Sequence, residues 1–440
     1  EAQSKTIGDG TKGSVILAGE LLKKAEELLS QKVHPAVIIN GYKEAAKKVL
    51  ELLNNMALPV NYEDSEILKK VALTTIGGKI AEGKELFAEM AVKAINSIVE
   101  AKKSSNVDIR KIKILKEKGK SLIESELFPG VVLEREVISP KMPKRVEKAV
   151  IALLDCWLRV SQKNFRRELE ISIQSSDDYK VHLGALSELA REMVKRIEIT
   201  GANVVLCTKT VDDLTAHFLT ESGILTVAQL PSTDLKIISE ATGGKIVTDL
   251  NDLRKENLGT AEIIERKKIG EREFVFVNCS GPGCASIIIR GGTEDILGEA
   301  ERVLRSLLKV LKAVVMEGKV VAGGGAVEVE LAKGVKRHAK NFSKKEQLAI
   351  EKYAKALESI PKTLAENSGL NILKTLAELR ALHENPKNLW IGISDKGKLE
   401  SMATRVLEPL SLKTQLIKFS NEIAETILRI DEVILEKENV

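Results

Sequence analysis

The 440-residue sequence has few aromatic side chains and no apolar segment long enough to cross a membrane. Aromatic residues make up 3% of the chain, so the base-stacking surfaces of single-strand nucleic-acid binders are not expected. No apolar run approaches the roughly 20 residues that span a bilayer. The first residues also lack the basic and apolar regions of a signal peptide. The sequence therefore predicts a cytoplasmic protein with neither a membrane nor a nucleic-acid partner.

The chain also lacks a strong excess of charge of one sign. Its 68 basic and 63 acidic side chains leave a formal net charge of +5, and the two signs are interspersed along the sequence. Hydrophobic residues make up 43% of the chain and charged residues 30%, a composition typical of globular proteins. Because a chain of this length is too long for one hydrophobic core, we expect two or three domains.

The four cysteines lack the paired spacing of a zinc site. Cys279 and Cys284 are five positions apart, and no histidine or second cysteine pair lies nearby to complete a ligand set. We therefore predict that Cys156, Cys207, Cys279 and Cys284 are buried, small apolar side chains.

Hydrophobic periodicity divides the chain into helical ends and a mixed middle. Apolar residues recur every third or fourth position over residues 15–31 and 42–55, and helical patterns return after about residue 326. Between about residues 130 and 291, short β-rich runs alternate with helical patterns, with a hairpin at Gly270, which predicts an α/β domain with some parallel strand pairing. The ends are predicted to be all-α. An inserted α/β domain that interrupts a helical domain accounts for this order.

Local signals predict several helix ends. Thr210 with Asp213 resembles a capping box at a helix start. Gly243 is expected to end a helix that begins at Ser232. A long helix is predicted over residues 294–317, directly after the last strand of the α/β region.

The first candidate binding motif is Gly8-Asp9-Gly10-Thr11, directly before a predicted helix. Glycine lets a backbone approach phosphate oxygens, helix N-terminal amides favour anions, and a carboxylate here could hold Mg²⁺. The same residues also fit a plain Asp-Gly turn that caps the helix. The stretch is not a P-loop, because no lysine directly precedes Ser14.

The second candidate motif is the glycine run Gly323-Gly324-Gly325. Three glycines permit positive φ angles and close approach of a ligand, but they also form ordinary turns. The α/β region has no GxGxxG motif after its first strand, which argues against a dinucleotide-binding enzyme. The five histidines are scattered, and no Ser-His-Asp or Cys-His set can be identified.

Several segments, in family order across nearly the whole chain, resemble the group II chaperonins: the archaeal thermosome and its eukaryotic cytosolic relatives. They are GDGT with the helix after it, HPAVIINGY, MPKRVEKAVIALLD, IRGGTED, VVAGGGAVEVELA, IPKTLAENSGL and LRIDEVI. The resemblance implies an ATP-binding molecular chaperone subunit that assists protein folding in a double ring. Its implied partners are homologous subunits and unfolded client proteins, and its implied cofactors are ATP and Mg²⁺.

The resemblance implies a mixed α and α/β multidomain fold in which three domains are nested. They would be an all-α equatorial nucleotide-binding domain of residues 1–62 and 321–440, an intermediate hinge domain of residues 63–131 and 285–320, and an apical α/β domain of residues 132–284. The apical domain would bind clients and carry a helical lid protrusion near residues 171–190.

The resemblance also assigns residues to a nucleotide site. The matching positions are Gly8, Asp9, Gly10, Thr11, Gly324, Gly325, Asn367, Gly369 and Glu408. Of these, Asp9 would hold Mg²⁺, the glycines and Thr11 beside it would face the phosphates, and Glu408 would lie near the ribose.

The largest departure from the family pattern lies in the long helix. The family keeps an aspartate there that orients or deprotonates the attacking water, and Ser306 occupies that position in an ungapped spacing to Gly318. A serine hydroxyl is a poor general base, and the loss of such a group lowers a rate by about 10²–10⁴. Hydrolysis of ATP is therefore left open. The alternative is a non-hydrolysing regulatory or assembly subunit of a hetero-oligomeric ring.

Other departures concern the same site. Lys12-Gly13 follows Thr11 where the family continues with threonines, so Lys12 either adds positive charge near the phosphates or points to solvent. Asp395 lies one place later than the family's aspartate. The sequence begins almost at GDGT, so we expect a fragment or partial record without the family's usual N-terminal stretch. A passive holdase that works without nucleotide is a further alternative, against which tight Mg-ATP binding would argue.

Overall fold

The computed structural model describes residues 10–61, 63–80, 82–102, 107–160, 176–279 and 283–430. The chain divides into two compact units. Glu1–Val92 and Arg302–Val440 form the helical unit, and Lys93–Glu301 form the sheet unit.

The helices and strands follow the predicted order of helical ends and a mixed middle. The helices are α1 (Thr11–Ser30), α2 (Pro35–Met56), α3 (Ser65–Ile76), α4 (Lys84–Lys102), α5 (Ser176–Thr200), α6 (Asp213–Glu221), α7 (Ser232–Thr242), α8 (Glu294–Glu317), α9 (Ala326–Ala339), α10 (Lys344–Leu357), α11 (Ser359–Asn367), α12 (Ile372–Leu382) and α13 (Leu410–Leu428). The strands are β1 (Leu58–Pro59), β2 (Ile112–Lys118), β3 (Glu126–Phe128), β4 (Val131–Leu133), β5 (Arg145–Leu154), β6 (Val204–Cys207), β7 (Leu225–Val227), β8 (Ile246–Val247), β9 (Gly259–Ile269), β10 (Arg272–Asn278), β11 (Ala285–Gly291), β12 (Lys319–Ala322), β13 (Ile391–Ile393), β14 (Leu399–Ser401) and β15 (Leu407–Pro409).

The core of the helical unit lies where α1, α2, α10 and α13 contact one another. Tyr42 of α2 is fully buried, and its hydroxyl donates a hydrogen bond to the carbonyl of Leu21 at 2.8 Å. Its ring meets the ring of Tyr353 of α10 edge-on, with centroids 5.4 Å apart. Such a pair contributes about 0.5–1.5 kcal/mol beyond the burial of its area. The two tyrosines therefore help to hold α2 against α1 and α10.

Two small sheets in the helical unit differ from the prediction of all-α ends. Strand β12 pairs antiparallel with β1 on one side and with β15 on the other. Strands β13 and β14 form a separate hairpin. These strands are two to four residues long. Runs this short carry too little alternation of apolar and polar residues to be recognised in a sequence.

The sheet unit has the predicted α/β character. Its larger sheet has the strand order β4-β10-β9-β5-β6-β7, and β8 also pairs with β5. Strand β5 is parallel to β6 and β8 and antiparallel to β9, so the expected mixture of parallel and antiparallel pairing is confirmed. Gly270, with φ 62°, turns the predicted hairpin between β9 and β10. A second sheet has the order β2-β11-β3.

The predicted helix ends are partly confirmed. Helix α7 ends at Gly243, whose φ is 74°, and α8 spans Glu294–Glu317, both as predicted. The predicted capping box of Thr210 and Asp213 is wrong. Asp212 caps α6 instead, since its carboxylate accepts a hydrogen bond from the amide of Thr215 at 2.8 Å. The carboxylate one residue before the helix start therefore provides a hydrogen-bond acceptor for a backbone amide of the first turn.

Two further predictions concern burial and the lid. Cys207, Cys279 and Cys284 are buried as predicted, but Cys156 is only partly buried because it follows the end of β5. Residues 171–175 of the predicted lid lie outside the described residues, whereas residues 176–190 form the first part of α5. The boundaries of the three nested domains stay a prediction. Among the described helices, none is long and apolar enough to span a membrane.

Candidate functional site

Helix α1 begins in a way that leaves its first amides available. Gly10 precedes it in the left-handed conformation, with φ 78° and ψ 7°, and as a glycine it has no side chain that could cap the helix. The Ser14 amide donates to the Gly10 carbonyl at 3.2 Å, which closes the first turn. The amides before it have no partner within the helix, and the first turn contains no acidic residue. Such a helix start favours an anion.

The predicted site residues around α1 are only partly visible. Gly8 and Asp9 lie outside the described residues, so the placement of the predicted Mg²⁺ ligand stays a prediction. Thr11 is partly exposed and Lys12 is exposed, both in the first turn of α1. The Thr11 hydroxyl and the adjacent amides are a donor set that suits phosphate oxygens.

The glycine run Gly323-Gly324-Gly325 connects β12 to α9 and is tightly packed. Gly324 and Gly325 have φ angles of 62° and 79°. A Cβ atom on Gly324 would lie 2.8 Å from the Ile393 carbonyl oxygen, and one on Gly325 would lie 2.8 Å from Cβ of Pro361. Both the φ angles and the close contacts therefore require glycine. The run is a tightly packed turn, and its predicted role in the nucleotide pocket stays a prediction.

The glycine run joins two other parts of the site. The Ile393 amide donates to the Gly324 carbonyl at 2.8 Å, which attaches the β13–β14 hairpin to the run. Pro361, which lies against Gly325, belongs to α11, and α11 also contacts α1. The structure thus gathers α1, the glycine run, α11 and the hairpin into one region of the helical unit.

Asn367 and Gly369 lie at the far end of α11. Asn367 is the last residue of the helix and is exposed, and Gly369 follows with φ 69°. The amide of Leu370 donates to the Ala365 carbonyl at 2.9 Å, the bond expected where a glycine ends a helix. Helix termination alone therefore accounts for Gly369. Its predicted place in a pocket wall stays a prediction.

Glu408 is held beside the glycine run by a buried ion cluster. A Cβ atom on Gly323 would lie 3.0 Å from Oε1 of Glu408. Nζ of Lys413 lies 2.6 Å from Oε2 of Glu408 and 2.6 Å from Oε1 of Glu328. The side chains of Lys413 and Glu328 are 7% and 2% exposed, whereas that of Glu408 is 21% exposed. Lys413 therefore links the first turn of α9 to β15.

The charge of Lys413 is stabilised by its partners. Burial by itself lowers the pKa of the Lys413 ammonium, but the attraction of Glu328 and Glu408 outweighs burial and raises that pKa above 10.5. The ammonium is therefore protonated at neutral pH. A single ammonium between two carboxylates at low exposure is costly to disrupt, because the loss of one partner leaves buried charge without compensation.

Ser306 lies in the middle of α8, in the part of that helix that belongs to the helical unit. It is partly exposed, and its neighbours Val303, Leu304 and Leu307 are buried. The intact helix around Ser306 shows that the serine is accommodated without a break in the fold. Its predicted position as the replacement of a catalytic aspartate stays a prediction.

Lys413 is the contact residue that sequence reasoning missed, and a signal for it exists. The buried face of α13 includes Leu410, Leu416 and Ile417, and Lys413 lies on the same face. A lysine at a position where helical periodicity requires an apolar residue indicates a buried ion pair. The sequence does not identify the partners, because Glu328 is 85 residues away.

The helical unit with its glycine-led helix starts, together with the α/β sheet unit, defines a protein of the chaperonin class. The model of the TCP-1/cpn60 chaperonin family matches residues 1–438. The chain belongs to the TCP-1/cpn60 chaperonin family, whose role is to assist protein folding. The resemblance drawn from its sequence segments is confirmed.

Relatives are similar over almost the whole chain. The "Thermosome subunit beta" of Aeropyrum pernix is 44% identical over 439 residues, which are 99% of this chain and 80% of the relative. The "Thermosome subunit" of Pyrococcus abyssi is 44% identical over 446 residues, which span 100% of this chain and 81% of the relative. A solved structure, the "Open state monomer of a group II chaperonin from methanococcoides burtonii", is similar with a TM-score of 0.70 and 37% identity, over 96% of this chain and 100% of that one.

Proposed function

We propose that the chain is an ATP-binding subunit of a double-ring group II chaperonin, and that its hydrolysis of ATP is weak or absent. Homologous subunits and unfolded client proteins are its proposed partners, and the cytoplasm is its proposed location. The observation that carries the proposal is the start of α1, where Gly10 in the left-handed conformation leaves the first amides without a side-chain cap.

The surrounding contacts support a nucleotide site at this helix start. The glycine run is attached to α11 and to the β13–β14 hairpin, and α11 contacts α1. The first amides of α1 can bind and orient a phosphate chain, because backbone amides keep their geometry without side-chain ordering. Gly324 and Gly325 would line the same pocket. When bound, Mg²⁺ would neutralise phosphate charge, and Asp9 is the residue proposed to hold it.

The proposal of weak hydrolysis rests on Ser306. In phosphoryl transfer to water, a protein mainly positions the reactants and stabilises charge, and a carboxylate that orients or deprotonates the water adds about 10²–10⁴ in rate. A serine hydroxyl at that position retains hydrogen bonding but supplies no negative charge. Binding of ATP does not depend on this group. A change at Ser306 is therefore expected to alter ATP turnover and to leave ATP binding unchanged.

The test compares three versions of the full-length subunit in assembled rings. Ser306→Asp is expected to raise ATP turnover by about 10²-fold or more, because it restores a carboxylate near the water. Ser306→Asn is the matched control, since it is close to aspartate in shape but neutral. It is expected to leave turnover unchanged.

The outcomes separate the components of the proposal. High turnover in the original protein, unaffected by either substitution, would sink the proposal of weak hydrolysis. Absence of Mg-ATP binding in all three versions would contradict the nucleotide site itself, and would favour a holdase that works without nucleotide. Retained binding with negligible turnover in the original protein would favour the alternative of a non-hydrolysing assembly subunit in a mixed ring.

A further inference from the structure

A second cavity of the helical unit lies between α9, α10 and α12. Its volume is about 390 Å³, within the range of small-molecule sites. Val329, Ala332 and Ala354 form an apolar part of its wall. None of the residues assigned to the nucleotide site lines this cavity. Its remaining lining is almost entirely charged.

Cationic side chains from three helices line the cavity. They are Lys333, Lys336, Arg337 and Lys340 near the C-terminal end of α9, Lys355 of α10 and Arg380 of α12. The carboxylates of the lining are Glu351, Glu358 and Glu384. The lining therefore carries an excess of positive charge, whereas the chain as a whole is nearly balanced.

Part of this positive charge is already neutralised. Arg380 forms two hydrogen bonds with the carboxylate of Glu358, at 2.7 and 2.5 Å. Lys333 donates to the carbonyl of His383 at 2.5 Å and lies 3.4 Å from Glu384. These pairs use two of the carboxylates.

Three of the lysines are left over. Within the described parts of the chain, Lys336, Lys340 and Lys355 form no ion pair. Lys336 in the last turn of α9 and Lys340, which directly follows the helix, are also four residues apart, a spacing at which like charges repel. These three lysines are exposed, and Glu351 of the same lining lies four residues before Lys355 on α10. The six cations and three carboxylates of the lining leave an excess of three positive charges, which a negative ligand would neutralise.

The ends of the helices explain single lysines but not their convergence. A cation in the last turn of a helix gains about 0.3–1 kcal/mol from the helix dipole. Lys336 and Lys355 each lie in the last turn of their own helix. Arg380 likewise lies in the last turn of α12, so the dipole accounts for each cation on its own helix. The dipole does not account for the cavity of about 390 Å³ that the three helix ends enclose.

We propose that this cavity binds a small anion with several linked phosphate groups. Lysine supplies flexible, strongly hydrated point charges that suit phosphate oxygens, and three of them match the charge of a short phosphate chain. A volume of about 390 Å³ accommodates a short phosphate chain. The phosphate chain could be a free inorganic oligophosphate or that of a nucleotide, which share this chemistry.

The test is calorimetric titration of the assembled full-length protein with inorganic tripolyphosphate at fixed ionic strength. The variant Lys336→Gln/Lys340→Gln/Lys355→Gln removes the three unpaired charges at little cost in helix propensity. It is expected to bind tripolyphosphate at least about tenfold more weakly, from the loss of several charge-assisted contacts. Lys23→Gln/Lys47→Gln/Lys418→Gln is the matched control, since these exposed helical lysines of the same unit line no part of the cavity.

The control variant is expected to bind as the original protein does. Equal tripolyphosphate binding by the original protein and both variants would overturn the proposal, because the anion would then lie elsewhere, including at the start of α1. Equal weakening by both variants would also overturn it, as an effect of net charge alone. If the triple cavity variant fails to fold, the single variant Lys355→Gln tests the proposal instead. Its binding of tripolyphosphate is expected to be about threefold weaker than that of the original protein.

Competition with ATP distinguishes the two sources of the phosphate chain. If saturating ATP does not displace tripolyphosphate from the cavity, the cavity is a site for free oligophosphate. If ATP displaces tripolyphosphate from the original protein but not from the cavity variant, a nucleotide supplies the phosphates in the cavity. Both results support the cavity as a polyphosphate site.

Discussion

Helices α1 and α9 both begin after a glycine in the left-handed conformation, but the two helix starts are built differently. At α9, Gly324 and Gly325 are packed against Ile393 and Pro361. Glu328 in the first turn of α9 is buried with Lys413. At α1, the first turn contains no acidic residue, and Lys12 is exposed.

The difference favours a structural role for the start of α9 and supports the proposed anion site at the start of α1. A buried carboxylate already occupies the first turn of α9, so a phosphate there would meet negative charge. Among the described residues, the first turn of α1 contains amides, the hydroxyls of Thr11 and Ser14 and the lysine Lys12, and no acidic residue. This composition favours an anion. We therefore expect changes at α9 to act mainly on stability and changes at α1 to act mainly on nucleotide binding.

The largest expected effect is the removal of the ammonium group in the ion cluster at α9. Lys413→Met is expected to lower the free energy of unfolding by about 3–5 kcal/mol, because the carboxylates of Glu328 and Glu408 lose their buried counter-charge. Denaturant unfolding followed by Trp390 fluorescence in a Trp157→Phe background reports on the helical unit, since Trp157 belongs to the sheet unit.

Lys418→Met on the same helix is the matched control. Lys418 is exposed, so its replacement is expected to change the unfolding free energy by less than about 0.5 kcal/mol. The folded-state pKa of Lys413 is raised above 10.5, so its contribution is fully present at lower pH and is lost only as the pH rises through that folded-state value. The difference between the two variants should therefore persist from neutral to mildly alkaline pH. Equal stability of the two variants would contradict a structural role for the start of α9.

A methyl group in the glycine run is expected to have the next largest effect. Gly324→Ala must adopt a φ of 62° and place Cβ 2.8 Å from the Ile393 carbonyl oxygen. A left-handed residue costs about 1–2 kcal/mol and an overpacked contact about 1–3 kcal/mol, so a loss of about 2–5 kcal/mol in unfolding free energy is expected.

Gly369→Ala isolates the backbone contribution. Gly369 has a φ of 69°, and nothing lies within 4 Å of its Cβ position, so only about 1–2 kcal/mol of stability should be lost. The same unfolding measurement compares both variants. If Gly369→Ala is as damaging as Gly324→Ala, the packing of the glycine run is not what requires glycine.

The smallest expected effect belongs to Lys12 at the start of α1. A cation near a helix N-terminus is unfavourable, so Lys12→Gln is expected to raise the unfolding free energy by about 0.3–1 kcal/mol. If phosphates bind there, the same change weakens ATP binding by about two- to fivefold, the contribution of one exposed charge pair. Thermal unfolding and ATP titration measure the two effects. Lys23→Gln, an exposed lysine farther along α1, should change neither, and equal results for both variants would mean that Lys12 only faces solvent.

Long segments with a regular apolar repeat were predictable from the sequence, whereas short strands and the choice of a helix cap were not. Helix α8 spans the predicted residues because its apolar positions repeat over 24 residues. Strands β1 and β12 have two and four residues and depend on pairing with partners distant in the chain. The cap of α6 was predicted at Thr210 and Asp213, whereas the backbone selects Asp212. Several polar residues near a helix start fit a capping pattern equally well, and only the chain path decides between them.

The sequence by itself determined the class of fold, the family and the positions of the glycine motifs, because periodicity and the order of segments are properties of the chain. Tertiary structure decided what each motif does. It showed that Gly324 and Gly325 are required by packing, that Lys413 holds Glu408 and Glu328 together, and that cationic side chains of three helices surround one cavity. These facts depend on contacts between residues that are far apart in sequence, and such contacts form only when burial brings the elements together.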